Sequence, residues 1–222
     1  TYLLYVWLLP GYLLGAFICF WWFRWQRWRF RFLIAGGMAC FAFFFGYLYF
    51  FLSPDTTYEM LYLPIFIRGL GMLTLIIAFA LFVVEDLNPK FLLMNAFFLI
   101  TFRSVLAPIM ATSFYSNTLY RLEQKYMHSL GETVTMADPL AASRYGESFG
   151  AALAGGHSYG DAVQMATYSL NTTLQQQALL LSLKEMLGVL FVVALVIAVI
   201  SRFIPFHKTL RVTFARTGDD MV

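Results

Sequence analysis

Four arginines, Arg24, Arg27, Arg29 and Arg31, stand within the nine residues from Phe23 to Arg31, and an apolar stretch flanks them on either side, Tyr2–Trp22 and Phe32–Leu52. Each stretch is about as long as the ~20 apolar residues that carry a helix across the hydrocarbon core of a bilayer. No water is available there for backbone amides and carbonyls, so a single crossing segment of this length bonds to itself as an α-helix. Short connections rich in Lys and Arg stay on the cytoplasmic side. One basic loop therefore predicts both the solvent of the chain and its direction across the membrane.

Composition points the same way. The chain is 60% hydrophobic, 19% aromatic and 12% charged, with a mean hydropathy of +0.70, whereas about a quarter of the residues of a soluble domain are charged. The net charge of +3 does not read as a nucleic-acid partner, because the basic residues sit beside apolar stretches and form no stripe on a soluble domain. Cys19 and Cys40 both fall inside apolar stretches and read as small buried hydrophobes rather than as a disulfide or metal site. The first residues, Thr-Tyr-Leu-Leu, carry no basic n-region and no small-residue cleavage site, so the first stretch reads as a span and not a signal peptide. The chain itself reads as a piece of a longer protein.

Five helical spans are predicted, making an all-α, polytopic membrane helix bundle. The first is Tyr2–Trp22, with Pro10-Gly11 and Gly15 to kink it or let a neighbour approach. The second, Phe32–Leu52, ends in the turn residues Ser53-Pro54-Asp55. The third, Tyr58–Val84, closes at Glu85-Asp86-Leu87-Asn88-Pro89, the fourth starts at about Phe91 and continues helically to Arg121 or beyond, and the fifth covers Thr173–Phe203. With the arginine loop inside, the inner segments hold Arg24, Arg27, Arg29, Arg31, Lys90, Arg202, Lys208, Arg211 and Arg216, and the outer ones only Arg121, Lys125 and Arg144. That bias places the C-terminus in the cytoplasm and the chain in the cell's inner, cytoplasmic membrane as a multi-pass protein. The aromatic run Phe20–Trp25 with Trp28 suits the headgroup level, a ligand platform being the alternative.

Three regions follow: residues 1–121 with four spans and the basic loop at 23–31, an external polar segment at 122–172, and the last span with its cytoplasmic tail at 173–222. Gly150, Gly155, Gly156 and Gly160 break any continuous helix through the external segment, which reads as a loop with one or two small amphipathic helices. Ser158 followed by Asp161 reads as the cap of a short helix leading back to the membrane.

Charges stand where lipid should be. Arg68, Arg103 and the pair Lys184-Glu185 lie roughly 15 to 18 Å inside their predicted spans at about 1.5 Å per residue. An ionised group at that depth costs at least about 2.5 kcal/mol and normally faces a bundle interior or a water cavity on a transport or proton route. A purely structural internal ion pair is the alternative, and it is preferred for Lys184. Ala107 and Ala111 are spaced to let a helix approach beside Arg103. His128, His157 and His207 fall in predicted loops or the tail, so no haem or metal pair forms across the membrane, and no Ser-His-Asp or phosphate-loop pattern occurs. Neither an enzyme nor a cofactor is expected.

The ordered landmarks Leu8-Leu9-Pro10-Gly11, Arg68-Gly69-Leu70-Gly71, Asn95 with Phe102-Arg103, His128-Ser129-Leu130, and Gln177-Ala178 with Glu185 resemble the C-terminal part of a major facilitator superfamily transporter, in its fourteen-helix drug:proton antiporter branch. The resemblance implies that the five spans are the last five helices of that fold and that the N-terminal half of the same transporter is a missing partner. It implies proton-coupled export of small amphipathic compounds, a periplasmic adaptor protein as a further partner, and a substrate or proton pathway at Arg68, Asn95, Arg103 and Glu185. Family members usually carry Gln at position 68, glycines at 107 and 110, and a Gly-x-x-x-Asp-Arg-x-Gly-Arg loop between the first two spans, all of which differ here. A non-transporting membrane anchor, using the external segment as a partner surface, is the alternative function.

Overall fold

The computed structural model describes residues 2–25, 30–54, 56–85, 91–133 and 139–203. Arg27, Arg29, Lys90, His207, Lys208, Arg211 and Arg216, which carry much of the predicted orientation, lie outside the described residues. Every described element is helical: α1 (Tyr2–Trp25), α2 (Phe30–Phe51), a 3-10 turn (Tyr58–Leu61), α3 (Tyr62–Glu85), α4 (Leu92–Thr101), a π-helical turn (Phe102–Leu106), α5 (Ala107–Thr133), α6 (Pro139–Ala154) and α7 (Tyr159–Phe203). Four stretches are long and apolar enough to cross a membrane, Arg31–Phe51, Tyr58–Leu81, Leu93–Glu132 and Tyr159–Phe203, and the apolar part of α1 is shorter, Leu8–Arg24. This is consistent with a multi-pass membrane protein.

The chain divides into two compact units, residues 1–100 with 187–222, and residues 101–186. In the first, α3 packs between α1 and α2 through glycines. A Cβ at Gly69 would stand 2.8 Å from the Leu8 carbonyl oxygen, and one at Gly11 would collide with the carbonyl oxygen of Phe66. Two residues further along, Gly71 and Gly37 oppose each other, and a Cβ at Gly71 would lie 2.9 Å from the Gly37 carbonyl. Where lipid is as apolar as leucine, helices associate by such backbone approach rather than by hydrophobic collapse. Cys19, Leu33, Ile34 and Ala78 are buried at the centre, with Trp22, Phe23, Met38 and Leu75 packed around them. Cys19 and Cys40 are free thiols.

Polar groups inside this unit are answered both within a helix and across helices. Thr74 Oγ1 donates to the Leu70 carbonyl at 2.8 Å, and the Tyr12 hydroxyl donates to Met72 Sδ at 3.3 Å. Ser53 and Thr56 close the α2 end as the turn chemistry predicts: the Ser53 amide donates to Thr56 Oγ1, which donates to the Ser53 carbonyl, both at 2.8 Å. The C-terminal part of α7 lies against α2, with Gly46 on the Phe191 ring and Gly188 on the Tyr49 ring.

The second unit differs from the predicted loop. Helix α5 continues beyond Arg121 to Thr133. Its half-buried residues Leu119, Leu122, Glu123, Tyr126, Met127 and Leu130 recur with helical period. Helix α6 ends in a Schellman turn, in which the Gly156 amide donates to the Leu153 carbonyl, the His157 amide to that of Ala152, and Gly156 takes φ +83°. Of the four glycines expected to break the segment, the Gly155-Gly156 pair does so; Gly150 and Gly160 lie within α6 and α7. The Ser158 cap is present, its hydroxyl accepting from the Asp161 amide at 3.3 Å and donating to Asp161 Oδ2 at 2.7 Å. The helix it opens is not short: α7 is 45 residues long and runs without interruption into the last apolar stretch. Ser148 on α6 and Ser169 on α7 meet at 3.2 Å, while Ala162 and Ala166 are fully buried.

Candidate functional site

Glu185 is the predicted site residue that the structure surrounds with partners. It sits on α7, eight residues beyond Gln177, and the α7 residues on its inner side, Ala178, Ser182 and Met186, are buried. Its Oε2 accepts a hydrogen bond from the Tyr126 hydroxyl at 2.6 Å, and its Oε1 lies 3.5 Å from Lys125 Nζ. The Lys125 ammonium is also 5.3 Å from the centre of the Tyr126 ring. Adjacent residues of α5 thus hold the two oxygens of one carboxylate, a phenol on one and a cation on the other. The Glu185 side chain is 36% exposed and that of Lys125 63%.

The described partners of Glu185 are Lys125 and Tyr126. The signal for them was the apolar spacing Leu119, Leu122, Tyr126 and Leu130, which extends span four by three turns and brings residues 125 and 126 onto a helix. Measured from its C-terminal end, Glu185 lies 18 residues before Phe203, roughly 27 Å at the usual rise.

Arg103 occupies the π-helical turn Phe102–Leu106 and is exposed. Pro108 follows it closely and has no amide hydrogen, so the preceding turn cannot close its regular ladder there. The carbonyl of Pro108 accepts a hydrogen bond from Thr112 Oγ1. Single π turns inside α-helices recur at functional positions because they re-aim side chains. Ala107 beside it is half-buried and Ala111 exposed.

Arg68 lies on α3 in the other unit, exposed, with its guanidinium carbon 5.4 Å from the centre of the Phe44 ring. That is a cation–π contact on α2. Asn95, on α4, is half-buried. The structure therefore gives Arg68, Asn95, Arg103 and Glu185 four separate settings, and joins Glu185 alone to a described polar partner set. Lys184, next to Glu185, is half-buried. His128 belongs to α5 rather than to a loop, with Nε2 3.3 Å from Glu132 Oε1 one helical turn on. Among the described residues no three His, Cys, Asp or Glu side chains converge to hold a metal ion. Comparison with protein-family models, curated proteins and solved structures finds no match for this chain.

Proposed function

We propose that this chain is the C-terminal portion of a secondary active transporter that exports small amphipathic organic compounds in exchange for protons. In this reading five spans cross the cytoplasmic membrane, α1 included, with the C-terminus inside. They resemble the last five helices of the major facilitator fold, and the other bundle needed for alternating access lies in a further part of the protein. The observation that carries the reading is the Glu185 carboxylate, held by Tyr126 and Lys125 on a helix long and apolar enough to cross a membrane. Acids in that situation mark proton routes. Arg103 supports it: an exposed cation on a membrane-length apolar helix needs a water cavity or a second bundle beside it.

Proton-driven efflux of an amphipathic dye from vesicles containing the full-length protein is the test. Glu185→Gln keeps the shape of the side chain and its bond from Tyr126 but cannot exchange a proton, so efflux against a gradient stops while dye binding persists. Wild-type efflux per folded molecule from Glu185→Gln removes Glu185 from the mechanism.

One observation favours a second reading, a membrane anchor that assembles with a partner. Leu153, Tyr159, Met165 and Tyr168 expose apolar or aromatic surface along α6 and the first turns of α7. Full-length protein that moves no dye under any gradient, and whose membrane level depends on a copurifying protein, supports the anchor instead.

A further inference from the structure

Helices α2 and α7 meet where two glycines face two aromatic rings. There a Cβ on Gly46 would be 3.0 Å from the Phe191 ring, and one on Gly188 would be 3.0 Å from the Tyr49 ring. Further along, the α2 face presents only Ala35, Ala39 and Ala42, opposite Leu195, Ala198 and Val199, and a cavity of about 410 Å³ remains between them. That volume falls within the roughly 300–1,000 Å³ of small-molecule sites. Its walls are apolar except at one place. Arg202 lines its end, and the guanidinium is held 4.5 Å above the Phe32 ring. Among the described residues no carboxylate lies within ion-pair distance of Arg202.

We propose that this groove binds an anionic phospholipid, with one acyl chain against the three alanines and the phosphate on Arg202. The inference rests on the reading of these helices as membrane-spanning and is independent of transport. An acyl chain suits an apolar groove lined by alanine, leucine and valine, because burying its methylenes against that wall is favourable. A phosphate suits the far end because a guanidinium presents a planar fork of donors to it. Basic pockets between membrane helices on the cytoplasmic side select anionic headgroups. Residues 204–222 complement the groove less well, since Lys208, Arg211 and Arg216 outnumber Asp219 and Asp220 and would set like charge beside Arg202.

The test uses the purified full chain in mild detergent, titrated with dioleoyl-phosphatidylglycerol and, separately, dioleoyl-phosphatidylcholine, with bound lipid counted by native mass spectrometry. The anionic lipid is retained preferentially. Arg202→Gln lowers its retention about fivefold, the equivalent of one surface cation, without changing retention of phosphatidylcholine. Ala39→Phe fills the slot and lowers both, while Leu13→Phe on the exposed face of α1 changes neither. Thermal melting confirms that each variant is folded, and Arg202→Gln, on an exposed side chain, keeps the test valid where Ala39→Phe does not fold. Equal retention of the two lipids, or of the anionic lipid by wild type and Arg202→Gln, overturns the proposal. So does displacement by glycerol 3-phosphate alone, which would make the site one for free phosphate, or strong binding only after removal of residues 204–222, which would make the tail its occupant.

Discussion

Helices α2 and α3, packed with α1, and the long helix α4–α5 each hold an apolar stretch of membrane length, yet they solve opposite problems. In the trio, glycine meets backbone at Gly11, Gly69, Gly37 and Gly71, and α3 is enclosed on two sides. Along α4, Leu93, Met94, Phe97, Phe98 and Ile100 are all exposed, and the apolar window of this helix buries none of its residues. Small residues therefore decide which apolar helix packs within this chain and which keeps its surface for lipid or for helices beyond it. Hydropathy alone does not distinguish the two cases, because a side chain facing lipid and one facing a neighbouring helix look equally apolar.

Breaking the tight partner should have the largest effect. Gly69→Leu drives a branched side chain into the Leu8 carbonyl, a backbone atom that cannot yield. Overpacking typically costs about 1–3 kcal/mol, and the separation of α1 from α3 adds to it. Thermal unfolding in detergent should show a strongly destabilised protein or none recovered. Gly71→Ala comes next, with its new methyl 2.7 Å from Cys40 Cβ and 2.9 Å from the Gly37 carbonyl; the expected loss is about 1–2 kcal/mol by the same mechanism. If either variant melts like wild type, close approach is not what holds the trio.

The second unit sharpens the contrast. A double-mutant cycle on Lys125→Met and Glu185→Gln should return a coupling below about 1 kcal/mol, because the lysine is largely exposed and such pairs contribute little to stability. A larger coupling would give this pair a structural role and weaken its assignment to proton exchange. Arg103→Ala leaves Glu185 with both its described partners, so folding of the chain should change by under about 0.5 kcal/mol while efflux by the full-length protein falls. The smallest effect belongs to Gly131→Ala near the end of α5. Nothing lies within 4 Å of the added methyl, and alanine in a helix is favoured over glycine by roughly 0.5–1 kcal/mol. A slight gain in stability is expected, against the losses in α3.

Much of this architecture was written in the chain. Apolar runs between turn residues set α1, α2 and α3 to within a few residues, because nothing but a helix satisfies their backbone in lipid. Ser53 with Thr56, and Ser158 with Asp161, declare a turn and a cap through bonds that span three residues, so no tertiary information is needed to see them. The reach of α5 and α7 was harder to read. Polarity around Arg121–Glu132 suggested a loop, but helical spacing continued beneath it, and the chain follows the spacing. The Gly155-Gly156 break, by contrast, was local and legible.

Sequence by itself determined that the chain is helical and membrane-compatible, and it singled out Glu185 as a charge in an apolar setting, because helix periodicity, turn chemistry and hydropathy act over a few neighbouring residues. Only the tertiary structure decided which glycines meet a backbone, that Glu185 rests on Tyr126 and Lys125, and that α2 and α7 leave a groove ending at Arg202. Those outcomes join residues from 34 to more than 150 positions apart, as Gly37 with Gly71, Tyr126 with Glu185, and Ala42 with Arg202, and such pairings are chosen by which faces pack together, a quantity that no local pattern of residues contains.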